Sequence, residues 1–130
     1  MILDTCFLID LMRGKSNAIK KLEELERKSE MLRITSISLY ELYLGITLSS
    51  APEREKKRLL YLLDKVPVIS LGEGEAKLAG EIQGSLMNSG VALDPIDALI
   101  AGIALYHDEA LLTRNVKHFE RIKELRIETY

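Results

Sequence analysis

The sequence predicts an α/β fold with a mainly parallel sheet, and three observations carry that expectation. Short apolar runs alternate along the chain with longer amphipathic segments, the pattern of strands joined by helical crossovers. The 130 residues suit a single domain over 1–130, long enough to bury roughly two thirds of the unfolded surface without disulfide or metal staples. With 47% hydrophobic residues, 5% aromatics and no Trp, the core must be aliphatic.

Each element has its own signal. Met1 to Leu3 is a short buried strand, ended by Asp4. Cys6 to Met12 is a brief helix or turn closed by Arg13-Gly14. Ser16 or Asn17 can cap the next helix, which runs to about Ser29 with Ile19, Leu22 and Leu25 inward. Leu32 to Thr35 is a second strand. Ser36 then offers a cap for a helix whose apolar side carries Leu39, Leu42, Tyr43 and Ile46. Ala51-Pro52 breaks the chain before a helix from about Glu53 to Asp64. Val66 to Leu71 is β-branched around Pro67, which makes it an edge strand or an extended connector. Glu73 to Asn88 is helical, with Ala76, Ala79, Ile82 and Leu86 on one face, and Asn88-Ser89-Gly90 stops it. Asp94-Pro95 opens a very apolar helix, Ile96 to Tyr106, that must be nearly central. Ala110 to Thr113 is a strand, Asn115 to Glu120 a helical turn, and Arg126 to Thr129 a last strand.

Composition narrows the function classes. The single cysteine, Cys6, cannot form an internal disulfide, which fits a reducing, cytoplasmic compartment. No secretory signal is visible, and no segment approaches the roughly 18 apolar residues of a membrane span. One Cys with His107 and His118 is too few for a structural zinc site. No Ser-His-Asp order, phosphate-cradling glycine loop or dinucleotide fingerprint is present. The formal net charge of −2 counts mildly against a nucleic-acid enzyme, but it hides how the 18 Lys and Arg are distributed.

Four places carry acids or polar groups where chemistry could occur. Asp4 follows a strand, and open parallel sheets bind ligands at the carboxyl ends of their strands; its bland reading is a helix cap. Glu41 stands in Ser38-Leu39-Tyr40-Glu41-Leu42-Tyr43-Leu44-Gly45, with no other charge three or four residues away, which favours a partner over a solvated face. Asp94 reads as an N-cap and Asp97 as the acidic third position of a capping box. Yet the uncharged run from Ala98 to Leu105 embeds this helix, and acids at the mouth of a buried helix commonly face a cleft. Thr113-Arg114-Asn115 is a further polar cluster at a strand end. Carboxylates gathered in one cleft repel by about 4 kcal/mol per pair at 4 Å and an effective dielectric of 20. A divalent cation, or protonation of one acid, relieves that cost, and all-oxygen ligands suit Mg²⁺ or Mn²⁺.

The sequence resembles the PIN-domain family, most closely its VapC-type toxin ribonucleases from type II toxin–antitoxin systems. The matching stretches are Met1-Ile2-Leu3-Asp4-Thr5, then Ser36 to Gly45 with Glu41-Leu42-x-x-Gly45. Asp97-Ala98-Leu99-Ile100-Ala101 follows, then Leu112-Thr113-Arg114-Asn115 with Phe119. They occur in the family's order and span essentially the whole chain. The resemblance implies a PIN-like three-layer α/β/α architecture with a four- or five-stranded parallel sheet. It also implies an endoribonuclease in which Asp4, Glu41 and Asp97 are catalytic and bind Mg²⁺ or Mn²⁺, Asp94 is an auxiliary acid, and Thr113 and Asn115 orient ligands or water. Relatives often carry a fourth acid at the position of Asn115 or three residues later, where this chain has His118. Asp94 is the candidate to replace it.

The resemblance further implies an RNA substrate, a homodimer, a small antitoxin protein that covers the cleft, and no membrane association. Arg13, Lys15, Arg114 and Lys117 are candidates to hold the RNA backbone, and Tyr40, Tyr43 and Tyr61 to supply an interface. Two alternatives remain at this point. One is a catalytically inactive domain of the same shape that binds RNA or protein. The other is a receiver-like phospho-acceptor, which Asp4 disfavours by having no neighbouring acid.

Overall fold

The computed structural model describes residues 1–130. The elements in chain order are β1 (Ile2–Leu3), α1 (Thr5–Met12), α2 (Ser16–Arg27), β2 (Arg33–Thr35), α3 (Ser36–Leu48) and α4 (Pro52–Leu63). They continue with β3 (Val68–Ile69), α5 (Glu73–Asn88), α6 (Pro95–Tyr106), β4 (Leu111–Leu112), α7 (Val116–Phe119) and β5 (Ile127–Glu128). The five strands form one sheet in the order β3-β2-β1-β4-β5, and every pairing is parallel. The carboxyl ends of all strands therefore lie along one edge, the edge at which crossover folds place ligands.

Successive residues of a strand point to opposite faces, and the two central strands use this to serve two cores. Ile2 and Leu111 enter one apolar cluster with α6, which supplies Ile100, Ile103 and Ala104, and with Phe119. Leu3 and Leu112 enter the other with Phe7, Leu8, Leu25, Ile34, Leu42 and Leu59. The sheet is thus covered on both sides, which is why its strands read as unbroken apolar runs rather than alternating ones. β3, carrying exposed Val68 after Pro67, is the edge strand expected there.

Several local expectations need correction. Neither Ser16 nor Asn17 caps α2. The chain enters that helix from Lys15, without a side-chain capping bond. The cap of α3 is Thr35, whose hydroxyl accepts from the Ser38 amide, while Ser36 is already helical and its hydroxyl accepts from the amide of Leu71 on the neighbouring connector. Ala76 is exposed, and the inward face of α5 is built on buried Ala79 with Ile82 and Leu86. Tyr43 lies on the outward side of α3 with Tyr40 and Leu44, because that helix is apolar on nearly every face.

The tightest packing joins α5 to α6. A Cβ placed on Gly102 would fall 2.7 Å from the Ala79 Cβ and 2.9 Å from its Cα and N. The absence of a side chain at Gly102 is what lets the two backbones approach. Gly102→Val is therefore expected to cost about 1–3 kcal/mol, the usual penalty of overpacking. It should appear as a lower urea midpoint at an unchanged slope, and an unaltered midpoint would show that the helices can separate freely.

Candidate active site

Asp4 leaves the end of β1 and is the N-cap of α1, its Oδ1 accepting from the Thr5 amide at 2.8 Å. Only 4% exposed, it needs further partners. Its Oδ2 accepts from the Thr113 hydroxyl at 2.6 Å, and the Cys6 thiol lies 3.0 Å away on the same oxygen. Thr113 follows β4, the strand beside β1, and is itself fully buried. Asp4 thus caps a helix and lies at the carboxyl edge of the sheet. The thiol of Cys6 is pushed upward in pKa by burial and by the adjacent Asp4 charge, so it stays protonated.

Glu41 projects from α3 toward the same edge, where its Oε1 accepts from the Thr5 hydroxyl at 2.7 Å. Thr5 thus touches two acids, Asp4 through its amide and Glu41 through its hydroxyl. Glu41 also lines a cleft of about 220 Å³ whose rim includes Arg13 and Arg54. Asp94 caps α6 through the Ile96 amide at 2.8 Å and stays exposed. Asp97 does not close a capping box. Its Oδ2 instead meets His118 Nδ1 of α7 at 2.9 Å.

Electrostatics tie these residues into one neighbourhood. Burial raises the pKa of Glu41 above the ordinary carboxylate range, and the charges of Asp4, Asp97 and Asp94 raise it further against the Thr5 hydrogen bond. Burial likewise raises Asp97, opposed by His118 and reinforced by Asp4 and Asp94. No Lys or Arg forms an ion pair with Asp4, Glu41, Asp94 or Asp97. No Lys or Arg neutralises these acids, although His118 pairs with Asp97, and their donors are all oxygen, the chemistry that suits a hard divalent cation. The residues fit such an ion by donor type and charge. As placed, no three Asp, Glu, His or Cys side chains are grouped closely enough to hold one ion. Thr5 holds Glu41 and His118 holds Asp97 in their present positions.

Of the expected auxiliary groups, Thr113 hydrogen-bonds Asp4, whereas the Asn115 side chain makes no hydrogen bond and its amide donates to Thr113 Oγ1 at 3.0 Å. Lys117 shares a cleft with Asp97, and Lys15 is exposed. Arg114 is engaged elsewhere: its Nη1 meets Oδ2 of Asp10 at 2.5 Å.

Sequence reasoning missed three participants. Thr5 was legible only as the residue after Asp4, His118 only as a neutral replacement for an acid. Asp10 is 2% exposed, yet Arg13 three residues on let it pass as an acid of a solvated face.

Comparison with known proteins identifies the family. The PIN domain family model matches residues 1–125. The chain is 31% identical to the tRNA(fMet)-specific endonuclease VapC of Salmonella typhimurium, covering 99% of this chain and 96% of that one. It is 29% identical to Ribonuclease VapC19 of Mycobacterium tuberculosis, over 95% of each. Among solved structures, VapBC2 from Rickettsia felis, bound to a DNA fragment from its promoter, superposes with a TM-score of 0.91 at 28% identity, covering 99% of this chain and 97% of that one. DNA-bound VapBC from Salmonella typhimurium gives 0.89 at 32% identity, covering 98% and 96%. With a family model spanning nearly its whole length, on a five-stranded parallel sheet that gathers acids at its carboxyl edge, this chain belongs to the PIN-domain family.

Proposed function

We propose that the protein is a metal-dependent endoribonuclease and the toxin of a toxin–antitoxin pair, hydrolysing RNA phosphodiester bonds. One observation carries the reading: Thr5 hydrogen-bonds both Asp4 and Glu41 at the sheet's carboxyl edge, Asp97 stands in the first turn of α6, and no Lys or Arg pairs with any of the three. The similar proteins named VapC ribonucleases support it. Asp4, Glu41 and Asp97, with Asp94 as the auxiliary acid, would hold Mg²⁺ or Mn²⁺. Such an ion supplies an activated water and offsets charge on the phosphodiester in the transition state. Thr113 fixes one oxygen of Asp4, Thr5 fixes Glu41, and His118 fixes Asp97, so each acid is oriented before substrate arrives.

The chain 1–130 acts as one domain in this reading, in the cytoplasm. Its partners are RNA, a second copy through the exposed Tyr40, Tyr43 and Leu44 side of α3, and a small antitoxin of the kind present in the similar VapBC complexes. No helix is long and apolar enough to cross a membrane. Structured RNA incubated with the purified chain and Mg²⁺ or Mn²⁺ should be cut, and EDTA should stop the cutting. Cleavage that persists in EDTA would remove the metal from the reading. The second reading is a non-catalytic RNA- or protein-binding domain, favoured by His118 occupying Asp97 where relatives often offer another acid. RNA binding with no cleavage in either metal would select it.

The raised pKa values of Glu41 and Asp97 fix the sign of two pH effects. Cation binding needs both acids ionised, so it should be lost as pH falls through their raised values, at higher pH than for ordinary carboxylates. In metal-free protein the linkage runs the other way. Between the unfolded and the raised folded pKa the native state binds more protons, so stability declines as pH rises. Glu41→Gln should therefore raise the melting temperature of metal-free protein near neutrality while weakening Mn²⁺ binding by calorimetry. A lower melting temperature would show that Glu41 is not under electrostatic strain.

A further inference from the structure

We propose that the cleft between the α5–α6 connector and α7 is the subsite for one nucleotide of the RNA strand, adjoining the bond presented to the acid cluster; this rests on the ribonuclease reading above. The cleft has a volume of about 600 Å³, within the range of pockets that bind small molecules. Asp97 and Asp94 form one of its walls, so it opens onto the candidate site itself. Lys117 and Arg121 also line it, both exposed and neither in an ion pair with any acid of the chain.

Two other cations near the site are paired, Arg114 with Asp10 and Arg54 with Glu55, while Arg13 on the Glu41 cleft is not. Lys117 and Arg121 stand uncommitted beside the acids, against one rim acid outside the cluster, Glu120. They are placed to take the phosphate that follows or precedes the reacting one. The remaining lining is apolar, from Leu86, Val91 and Leu93, and suits the face of a base. His118 adds an aromatic ring, held by its Nδ1 on Asp97 while its side chain is 57% exposed. Unpaired RNA bases are commonly held by stacking on such rings. An apolar floor, a held aromatic ring and two free cations, all bordering the acids, together fit a nucleotide better than any of them alone.

The test uses ¹⁵N-labelled full-length protein in EDTA, so that no RNA is cut, titrated to millimolar concentration with each of the four homopolymeric RNA tetramers. At least one tetramer should shift the amides of Val91, Lys117, His118 and Arg121 in a saturable way. The double variant Lys117→Ala/Arg121→Ala changes only surface side chains, and its fold is checked by its unperturbed spectrum elsewhere. It should bind at least tenfold more weakly, with a salt-dependence slope smaller by about 0.7 for each phosphate that the variant no longer neutralises. The subsite is overturned if no tetramer binds, if the shifts fall elsewhere, if affinity and slope are unchanged in the double variant, or if only an antitoxin peptide perturbs these residues. Failure of the enzyme reading looks different: wild-type protein would bind tetramers in the cleft yet leave RNA intact with Mg²⁺ or Mn²⁺.

Discussion

Asp97→Asn is expected to lower the rate of RNA cleavage by about a thousandfold, corresponding to loss of several kcal/mol of charge stabilisation in the transition state. The substitution keeps the shape of the side chain and an oxygen that His118 can still meet, so it removes charge rather than architecture. Asp97 is strained by its burial and by Asp4 and Asp94, and neutralising it relieves those acids. The metal-free variant should therefore melt no lower than the parent even as its activity collapses. Activity and stability moving in opposite directions distinguishes a charge working on the reaction from one that merely holds α6 to α7. Measuring single-turnover cleavage beside thermal unfolding decides it. A variant that keeps cleaving, or one whose activity falls only in step with unfolding, would dismiss Asp97 from the machinery.

How much of this arrangement was legible in the sequence depended on punctuation. The bounds of α5 match the expectation from Glu73 to Asn88, because Gly72 precedes it and a Ser89-Gly90 stop with positive φ at Gly90 ends it. The opening of α6 was equally plain, since Asp94-Pro95 can do little else than cap and start a helix. Strands were harder. Apolar runs of three to six residues mark burial, whereas strand length is set by which residues find backbone partners, and most strands here have only two. The helix α3 misled in another way: with apolar residues on nearly all sides, periodicity could not say whether Tyr43 faces inward.

The candidate site was legible as a list of acids and illegible as a set of bonds. Asp4, Glu41 and Asp97 announced themselves by position. Of their holders only Thr113 was expected; Thr5 and His118 are ordinary residues whose role appears only when separate segments meet.

The second large effect is expected at Asp10. This carboxylate is 2% exposed, and its Oδ2 receives both Arg114 at 2.5 Å and the Tyr130 hydroxyl at 2.9 Å. Its Oδ1 is buried without a partner. The hydroxyl of Tyr130, half-buried and facing a carboxylate, is pushed far up and stays protonated as a donor. Arg114→Met would leave the buried charge with Tyr130 alone. The cost should be about 2–3 kcal/mol, somewhat below the 3–5 typical of breaking a fully buried pair, since the guanidinium is half exposed. Asp10→Asn should cost less, because the cation it releases is already within reach of water. Arg114→Met/Asp10→Leu should recover most of the loss, as apolar replacements of whole pairs commonly do. Urea unfolding of the four proteins gives the coupling directly. Equal losses in the two single variants would contradict the asymmetry, and a change of under 0.5 kcal/mol in Arg114→Met would mean the pair is as inconsequential as an exposed one.

Neighbouring residues of β1 and of β4 serve opposite cores, Ile2 and Leu111 on one side, Leu3 and Leu112 on the other. Displacing either strand by a single position would exchange the two sides and unseat both. Inserting or deleting one residue there should be intolerable, while the connector before α6 and the surface of α7 answer to no such parity. Selection can therefore rewrite what the rim grips, residue by residue, over a spine that admits no shift.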